Sequence, residues 1–312
     1  MPTSAGHSLS RRRAYASLAL GVFGIGWSAI LVRWAGTSGL VSAFYRLAIA
    51  SLIFVPWRRV AKPAGQRATP ESRRAAIIAG VFFGADLAFF NSAVMATSAT
   101  NATLLGVNAP IFVAFGAWVM YGEKPTARFW LGFLLAFAGM IAIVGTDVVI
   151  HPVLGYGDLL AVAGALCYGV YLLYVQRARE TMDSLTFSTW SAGTGALCLL
   201  PVCVLTRQQL TDFSIHAWSS LVALALSAQV LGHLLVAHSM GRLPATASSI
   251  VLLGQAPLTA LLAWPLLGER IHVGQIVGGA LVLAGIIVVN STRHRSGAGT
   301  GAHRLRHGCS TS

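Results

Sequence analysis

Charge is what this 312-residue chain has least of: Asp, Glu, Lys and Arg together make up 10% of it. A soluble globular domain carries about 25%, because its surface must be wetted by water. The shortage excludes an ordinary water-soluble globule. Acidic residues are the scarcer sign, nine against 22 Lys and Arg, for a formal net charge of +13. On one soluble face such an excess would suggest nucleic acid. Here the basic residues fall almost entirely in gaps between apolar runs, so no nucleic-acid partner is expected. Cysteine is sparse as well: Cys167, Cys198 and Cys203 lie inside apolar runs, Cys309 lies in the C-terminal tail, and no Cys-x-x-Cys occurs. A disulfide framework and a zinc site are not expected, and the three thiols in the runs read as small packing groups. There is no Gly-x-x-x-x-Gly-Lys-(Ser/Thr), no His-Glu-x-x-His and no Gly-x-Ser-x-Gly. Direct use of ATP and two common hydrolytic chemistries drop out with them. The three histidines of the tail show no ligand pattern with carboxylates or cysteines, so neither metal nor cofactor is expected.

What the chain has is apolar length. Hydrophobic residues are 55% of it and its mean hydropathy is +0.70. Apolar runs of about 20 residues, enough to cross a hydrocarbon core of about 30 Å, recur throughout. They predict ten spans, at 14–34, 39–57, 75–96, 99–121, 127–146, 156–176, 184–206, 217–240, 244–267 and 271–290. Backbone groups must be satisfied within lipid, and the runs are too long for barrel strands, so the spans are helices. Ser10-Arg-Arg-Arg13 faintly resembles an export signal, but nine further apolar runs follow the first, so 14–34 reads as a permanent span. The Gly-, His- and Arg-rich stretch after Asn290 reads as disordered. Ten spans put both termini on one side. With the N-terminus inside, the cytoplasmic segments hold every Lys and Arg except Arg33, Arg207 and Arg270 in outer loops and Arg46 within a span. Positive charge is retained in the cytoplasm, so both termini are expected there, in a multi-pass protein of the cell membrane.

The chain also repeats itself. Ala99-Thr-Asn-Ala-Thr-Leu-Leu-Gly-Val-Asn-Ala-Pro110 runs on to Gly122-Glu123-Lys124, and Thr246-Ala-Ser-Ser-Ile-Val-Leu-Leu-Gly-Gln-Ala-Pro257 runs on to Gly268-Glu269-Arg270. Pro110 then matches Pro257, Gly132 matches Gly278, Gly139 matches Gly285, and Pro56 matches Pro201. The expected layout is a tail at 1–13, a five-helix repeat at 14–146, an outer linking loop at 147–155, a second repeat at 156–290 and a basic tail at 291–312. Five is odd, so the copies must lie in opposite orientations, the arrangement on which many secondary transporters are built. A Pro-containing helix, Gly-Glu-(Lys/Arg) and a Gly-x6-Gly helix, in that order and twice over, resemble the EamA family of the drug/metabolite transporter superfamily. Arg46 early in the second span and Gly157-Asp158 opening the sixth fit the same pattern, and the likeness covers roughly residues 14–290. The resemblance implies a transporter of amino acids, nucleosides, other metabolites or drugs.

Arg46 and Asp86 are the charged residues expected well inside a span. Each lies about 11 residues from the cytoplasmic end of its helix, roughly 16 Å deep. A charge at that depth costs a few kcal/mol and is usually paired or functional. Two readings stay open: an ion pair fastening spans two and three, or a substrate site. In the repeat Asp86 aligns with His233 and Arg46 with Ser191, so the copies differ at matched depth. His233 with Asp86 suggests proton coupling, since histidine titrates near neutrality; a neutral, hydrogen-bonded interior histidine is the alternative. Asn101 and Asn108, and Ser248 and Gln255, are each seven apart and share a helix face. They would line a cavity or bind helix to helix. Trp27, Tyr45, Tyr168, Tyr171 and Trp190 are candidates to wall that cavity, with Trp27 and Tyr168, and Tyr45 and Trp190, as repeat mates. Glu123 and Glu269 read as turn or capping residues, and Gly80-x-x-x-Gly84 and Gly274-x-x-x-Gly278 as close helix packing.

The sequence therefore predicts an all-α polytopic membrane protein, ten helices in two inverted repeats, acting as a monomer or homodimer. It would export small metabolites by alternating access, with amino acids slightly preferred because Arg46, Asp86 and the amides together suit a zwitterion, and with proton coupling as an option. A drug or nucleoside exporter and an integral membrane enzyme are the competing readings.

Overall fold

The computed structural model describes residues 4–61, 68–121, 127–150, 155–243, 248, 251–269 and 273–291. The Gly122-Glu123 turn, residues 244–247 and both tail ends lie outside the described residues. Without water to satisfy them, backbone groups must pair within each segment, and among the described residues there is no strand. The first span comprises α1 (Ser4–Gly26) and α2 (Ser28–Ala35), the second α3 (Gly39–Ala61) and the third α4 (Pro70–Ala96). The fourth is α5 (Ala99–Gly106) with α6 (Ala109–Tyr121), and the fifth is α7 (Ala127–Ile150). α8 (Gly155–Arg179) and α9 (Ser184–Leu205) are the sixth and seventh. The eighth joins α10 (Ile215–Leu224), a π-helical segment (Ala225–His233) and α11 (Leu234–Met240). α12 (Gln255–Leu267) belongs to the ninth and α13 (Val273–Ser291) is the tenth.

Seven of these spans are long and apolar enough to cross a bilayer, and shorter apolar helices at Trp130–Gly139, Gln255–Leu267 and Val273–Gly285 stand at the fifth, ninth and tenth positions. Leu52, Leu134, Leu197, Leu205 and Leu261 are all more than half exposed. Patches of that kind are not tolerated against water; here they form the lipid-facing coat. Side-chain oxygens cap helix starts: Ser98 on α5, Thr69 on α4, Asp183 on α9 and Ser214 on α10 accept the N–H three residues on.

Small residues let the backbones approach. A Cβ on Gly139 would lie 2.6 Å from Gly278 O, and one on Gly285 would lie 2.4 Å from Gly132 O. The repeat mates therefore exchange places, and residue numbers rise along α7 as they fall along α13. α7 and α13 pack antiparallel about a pseudo-two-fold axis, which makes the repeat inverted. The remaining packing follows the same exchange: α4 packs on α8 and α9, while the eighth span packs on α1 and α3. Gly80 and Gly84 seat α4 against α9, where their Cβ positions would be 2.5 Å from Ser191 O and 3.2 Å from Gly195 Cα. Ser191, the mate of Arg46, thus serves helix packing.

Continuous helices were the expectation, and four spans are interrupted. The fourth and ninth turn at 107–108 and 253–254, just before the mates Pro110 and Pro257. Proline has no N–H to give and its ring clashes with the carbonyl one turn back. Asn108 Nδ2 donates to Leu104 O at 3.1 Å and Leu105 O at 2.9 Å, taking up carbonyls at the break. The first span breaks at Trp27, and Thr259 Oγ1 donates to Gly26 O at 3.0 Å. In the eighth, the π segment lies where Gly24 and Gly232 bring two spans together; a Cβ on Gly24 would lie 2.5 Å from Ser227 O.

Glu269 follows α12 and reaches across the repeat boundary to the start of α5. Its carboxylate accepts from Ala99 N at 2.6 Å, Thr100 N at 3.1 Å and Thr100 Oγ1 at 2.9 Å. An anion at a helix N-terminus meets free N–H groups and the positive end of the helix dipole, so the glutamate of one repeat caps the broken helix of the other.

Candidate functional site

The four interruptions converge. Residues 25, 28 and 29, 106–107 and 109–110, 252 and 255, and 233 line one cavity that is partly open to its surroundings. Irregular backbone at membrane depth is tolerated where it faces such a cavity.

Arg46, in the middle of α3, is 1% exposed. A guanidinium at that depth needs acceptors, and they come from two other spans. Nη1 donates to Ser28 Oγ at 2.8 Å, Nε donates to Gln229 Oε1 at 3.2 Å, and Nη2 lies 3.1 Å from His233 Nδ1. The break at Trp27 supplies the first partner and the π segment supplies the other two. His233 Nδ1 also lies 2.8 Å from Ala228 O, so it accepts from Arg46 in one tautomer and donates to that carbonyl in the other; the ring is neutral in both, since a second proton would set one cation against another. Two of the five guanidinium N–H groups have no partner among the described residues.

Asp86 also lines the cavity but does not bond Arg46: no ion pair joins the two, and among the described residues no hydrogen bond reaches the Asp86 carboxylate. In place of an ion pair, one of the two readings left open by the sequence, three neutral groups surround the arginine, which leaves the carboxylate available. A Cβ on Gly164 would lie 3.4 Å from Asp86 Oδ1, and one turn further along α8 is Tyr168. Tyr168 lines the cavity, and its buried hydroxyl has no partner among the described residues. Behind it Tyr171 stacks on Tyr168 at 5.5 Å and on Phe83 at 4.4 Å, and Phe83 meets His233 at 4.7 Å.

Of the sequence candidates, the cavity brings together Arg46, Asp86, His233, Tyr168 and Gln255. Tyr171 supports it from behind. The others are placed elsewhere, each for a visible reason. Asn101 Oδ1 accepts from Gln275 Nε2, and Asn108 caps its own broken helix. Tyr45 donates to Leu210 O and packs edge-on to Trp218, 4.9 Å between centroids, anchoring the connection between α9 and α10. Trp27 and Trp190 pack against the two apolar clusters flanking the cavity. Ser248 is buried without a hydrogen-bond partner. Sequence reasoning missed Ser28 and Gln229, although Gln229 stands four residues before His233 in an otherwise apolar stretch. Asp158, noted in the sequence as opening the sixth span, is fully buried and accepts from Thr97 Oγ1 at 3.0 Å.

A helical bundle of two inverted units, broken about a polar midplane cavity, is the architecture of a secondary transporter. The sequence model of the EamA-like transporter family matches residues 12–145 and again 155–291. The chain belongs to the EamA-like transporter family and is a multi-pass membrane protein. Among its relatives, "Uncharacterized transporter YyaM" of Bacillus subtilis is 24% identical over 221 residues, 69% of this chain and 72% of that one. An uncharacterized transporter of Archaeoglobus fulgidus is 22% identical over 279 residues, 89% of this chain and 96% of that one. A "Probable terminal-alkyne amino-acid exporter" of Streptantibioticus cattleyicolor is 27% identical over 194 residues, 62% of this chain and 64% of that one, somewhat under two thirds of its length. A solved crystal structure shares the fold with a TM-score of 0.64 at 17% identity, covering 91% of this chain and 99% of that one.

Proposed function

We propose that this transporter exports small zwitterionic metabolites, amino acids first, across the cytoplasmic membrane by alternating access. The observation that carries the reading is the presence of Arg46 and Asp86 in one cavity without an ion pair between them. The two unpartnered N–H groups of Arg46 suit a carboxylate, and the Asp86 carboxylate suits an ammonium group. The amino-acid exporter of Streptantibioticus cattleyicolor supports the same substrate class. The distribution of Lys and Arg supports cytoplasmic termini, with the halves 14–146 and 156–290 rocking about the cavity.

Asp86 is also the group suited to couple export to protons. It shares the cavity with Arg46, Tyr168 and His233, and a proton and an ammonium group compete for the same oxygens, so a proton entering from outside would displace the substrate to that side and its release inside would free the site for the next substrate. His233 is less suited to that role, because protonation would repel Arg46. The test is uptake and efflux of a metabolite panel in proteoliposomes, with and without a pH gradient. Neutral amino acids are expected to move against an imposed proton gradient, and Asp86→Asn is expected to abolish the gradient's effect. Absence of movement for every compound under both conditions overturns the reading, and an unchanged pH response in Asp86→Asn removes the coupling role.

A further inference from the structure

A zwitterion bound between Arg46 and Asp86 uses both formal charges of the cavity. Among the described residues no other Asp, Glu, Lys or Arg lines it. A third charge, on the substrate's side chain, would enter the membrane interior with nothing to balance it. Such a charge costs about 2.5–3.5 kcal/mol even on lenient scales, roughly a 100-fold penalty.

The neutral polar groups of the lining divide into two sets. Ser28 and His233 are taken by Arg46, Thr259 Oγ1 donates to Gly26 O, and Thr103 Oγ1 donates to Ala99 O at 2.8 Å. The hydroxyl of Tyr168 and the carboxamide of Gln255 have no partner among the described residues. Tyr168 lies along α8 from Gly164 and so belongs with Asp86. That leaves Gln255 as the unengaged polar group for the rest of the substrate. It opens α12 immediately after the break at 253–254, and the apolar groups of Leu87, Phe90 and Leu252 share the lining with it.

We propose that Gln255 is a specificity-determining residue: its uncharged amide, in a cavity whose two charges are already engaged, restricts the substrate to amino acids with uncharged side chains. The proposal rests on the amino-acid reading above and adds the side-chain class and the residue that sets it. Glutamate has nearly the same shape as glutamine, so Gln255→Glu would add one negative charge without changing volume. With a lysine or arginine bound, that carboxylate would balance the side-chain cation.

The experiment is counterflow of radiolabelled leucine, lysine and glutamate in proteoliposomes holding wild-type protein, Gln255→Glu or Gln255→Met, with thermal unfolding in detergent as the check on folding. Wild type is expected to carry leucine in preference to lysine and glutamate by about 100-fold. Gln255→Glu is expected to raise the lysine-to-leucine ratio at least about tenfold, and Gln255→Met to leave lysine and glutamate excluded. Wild type that carries leucine, lysine and glutamate alike overturns this inference and leaves the amino-acid reading standing. So does a folded Gln255→Glu with an unchanged ratio. Wild type that carries none of the three overturns the amino-acid reading and this inference with it.

Discussion

Three neutral groups around Arg46, from two spans, form a socket that only a planar fork of donors fits. Ser28, Gln229 and His233 meet Nη1, Nε and Nη2 respectively. Lysine carries its charge at one point and cannot reach all three. Arg46→Lys is expected to reduce transport at least about tenfold and to destabilise the protein by about 1–3 kcal/mol for each buried group left unpartnered. Transport assays in proteoliposomes and thermal unfolding in detergent measure the two effects, and an unaltered rate with unaltered stability would contradict the socket. Arg46, Asp86 and His233 were legible in the sequence because polar residues are conspicuous in apolar runs. Their partners were not. Depth along a helix places two charges at one level, but the direction each side chain takes depends on how neighbouring helices turn. That is why an arginine–aspartate pair stayed open as a reading and three neutral neighbours were found.

At the scale of elements, the interruptions matter more than the helices. Continuous helices would close over the space that α5, α6, α12 and the π segment now leave open. Pro110 withholds the N–H that would bind Gly106 O, and Pro110 lines the cavity together with Gly106, Val107 and Ala109 before it. Pro110→Ala restores a donor and removes the clash of the ring, which together disfavour a helix interior by about 3 kcal/mol. The variant is expected to be at least as stable as wild type yet to transport several-fold more slowly, because a continuous helix draws residues 106–109 away from the cavity. Equal or faster transport would show that the break is incidental. The spans were readable from hydropathy, but Pro110 and Pro257 were read only as marks of the repeat, although they stand just after the fourth and ninth breaks. The break at Trp27 and the π segment carry no such marker. They arise from contact between spans, where Gly24 and Gly232 bring the first and eighth together. Asn108 was read as lining a cavity or binding helix to helix, but its position is where a broken helix most needs a donor for its carbonyls.

For the whole molecule, the inverted repeat supplies the symmetry and the cavity supplies the departure from it. Gly139 against Gly278 and Gly285 against Gly132 are alike, and two copies of one unit explain them. At the cavity the mates part company: Asp86 faces His233's role as a neutral partner to Arg46, and Gln255 lines the space while Asn108 turns to its own backbone. The duplication could be read from two phrases of sequence, and the inversion from an odd number of spans per copy. Which member of each pair of mates would face the cavity could not, because the residues that decide it lie on other spans. The central claim is that one cavity holds a carboxylate on Arg46 and an ammonium group on Asp86. Its most direct test is competition against leucine counterflow by isopentylamine and 4-methylpentanoate, which keep the side chain but lack the carboxylate or the ammonium group respectively. The account predicts that unlabelled leucine competes and that both analogues are at least about tenfold weaker, each having lost a charge-assisted contact. Competition by either analogue as strong as that of leucine itself would contradict it.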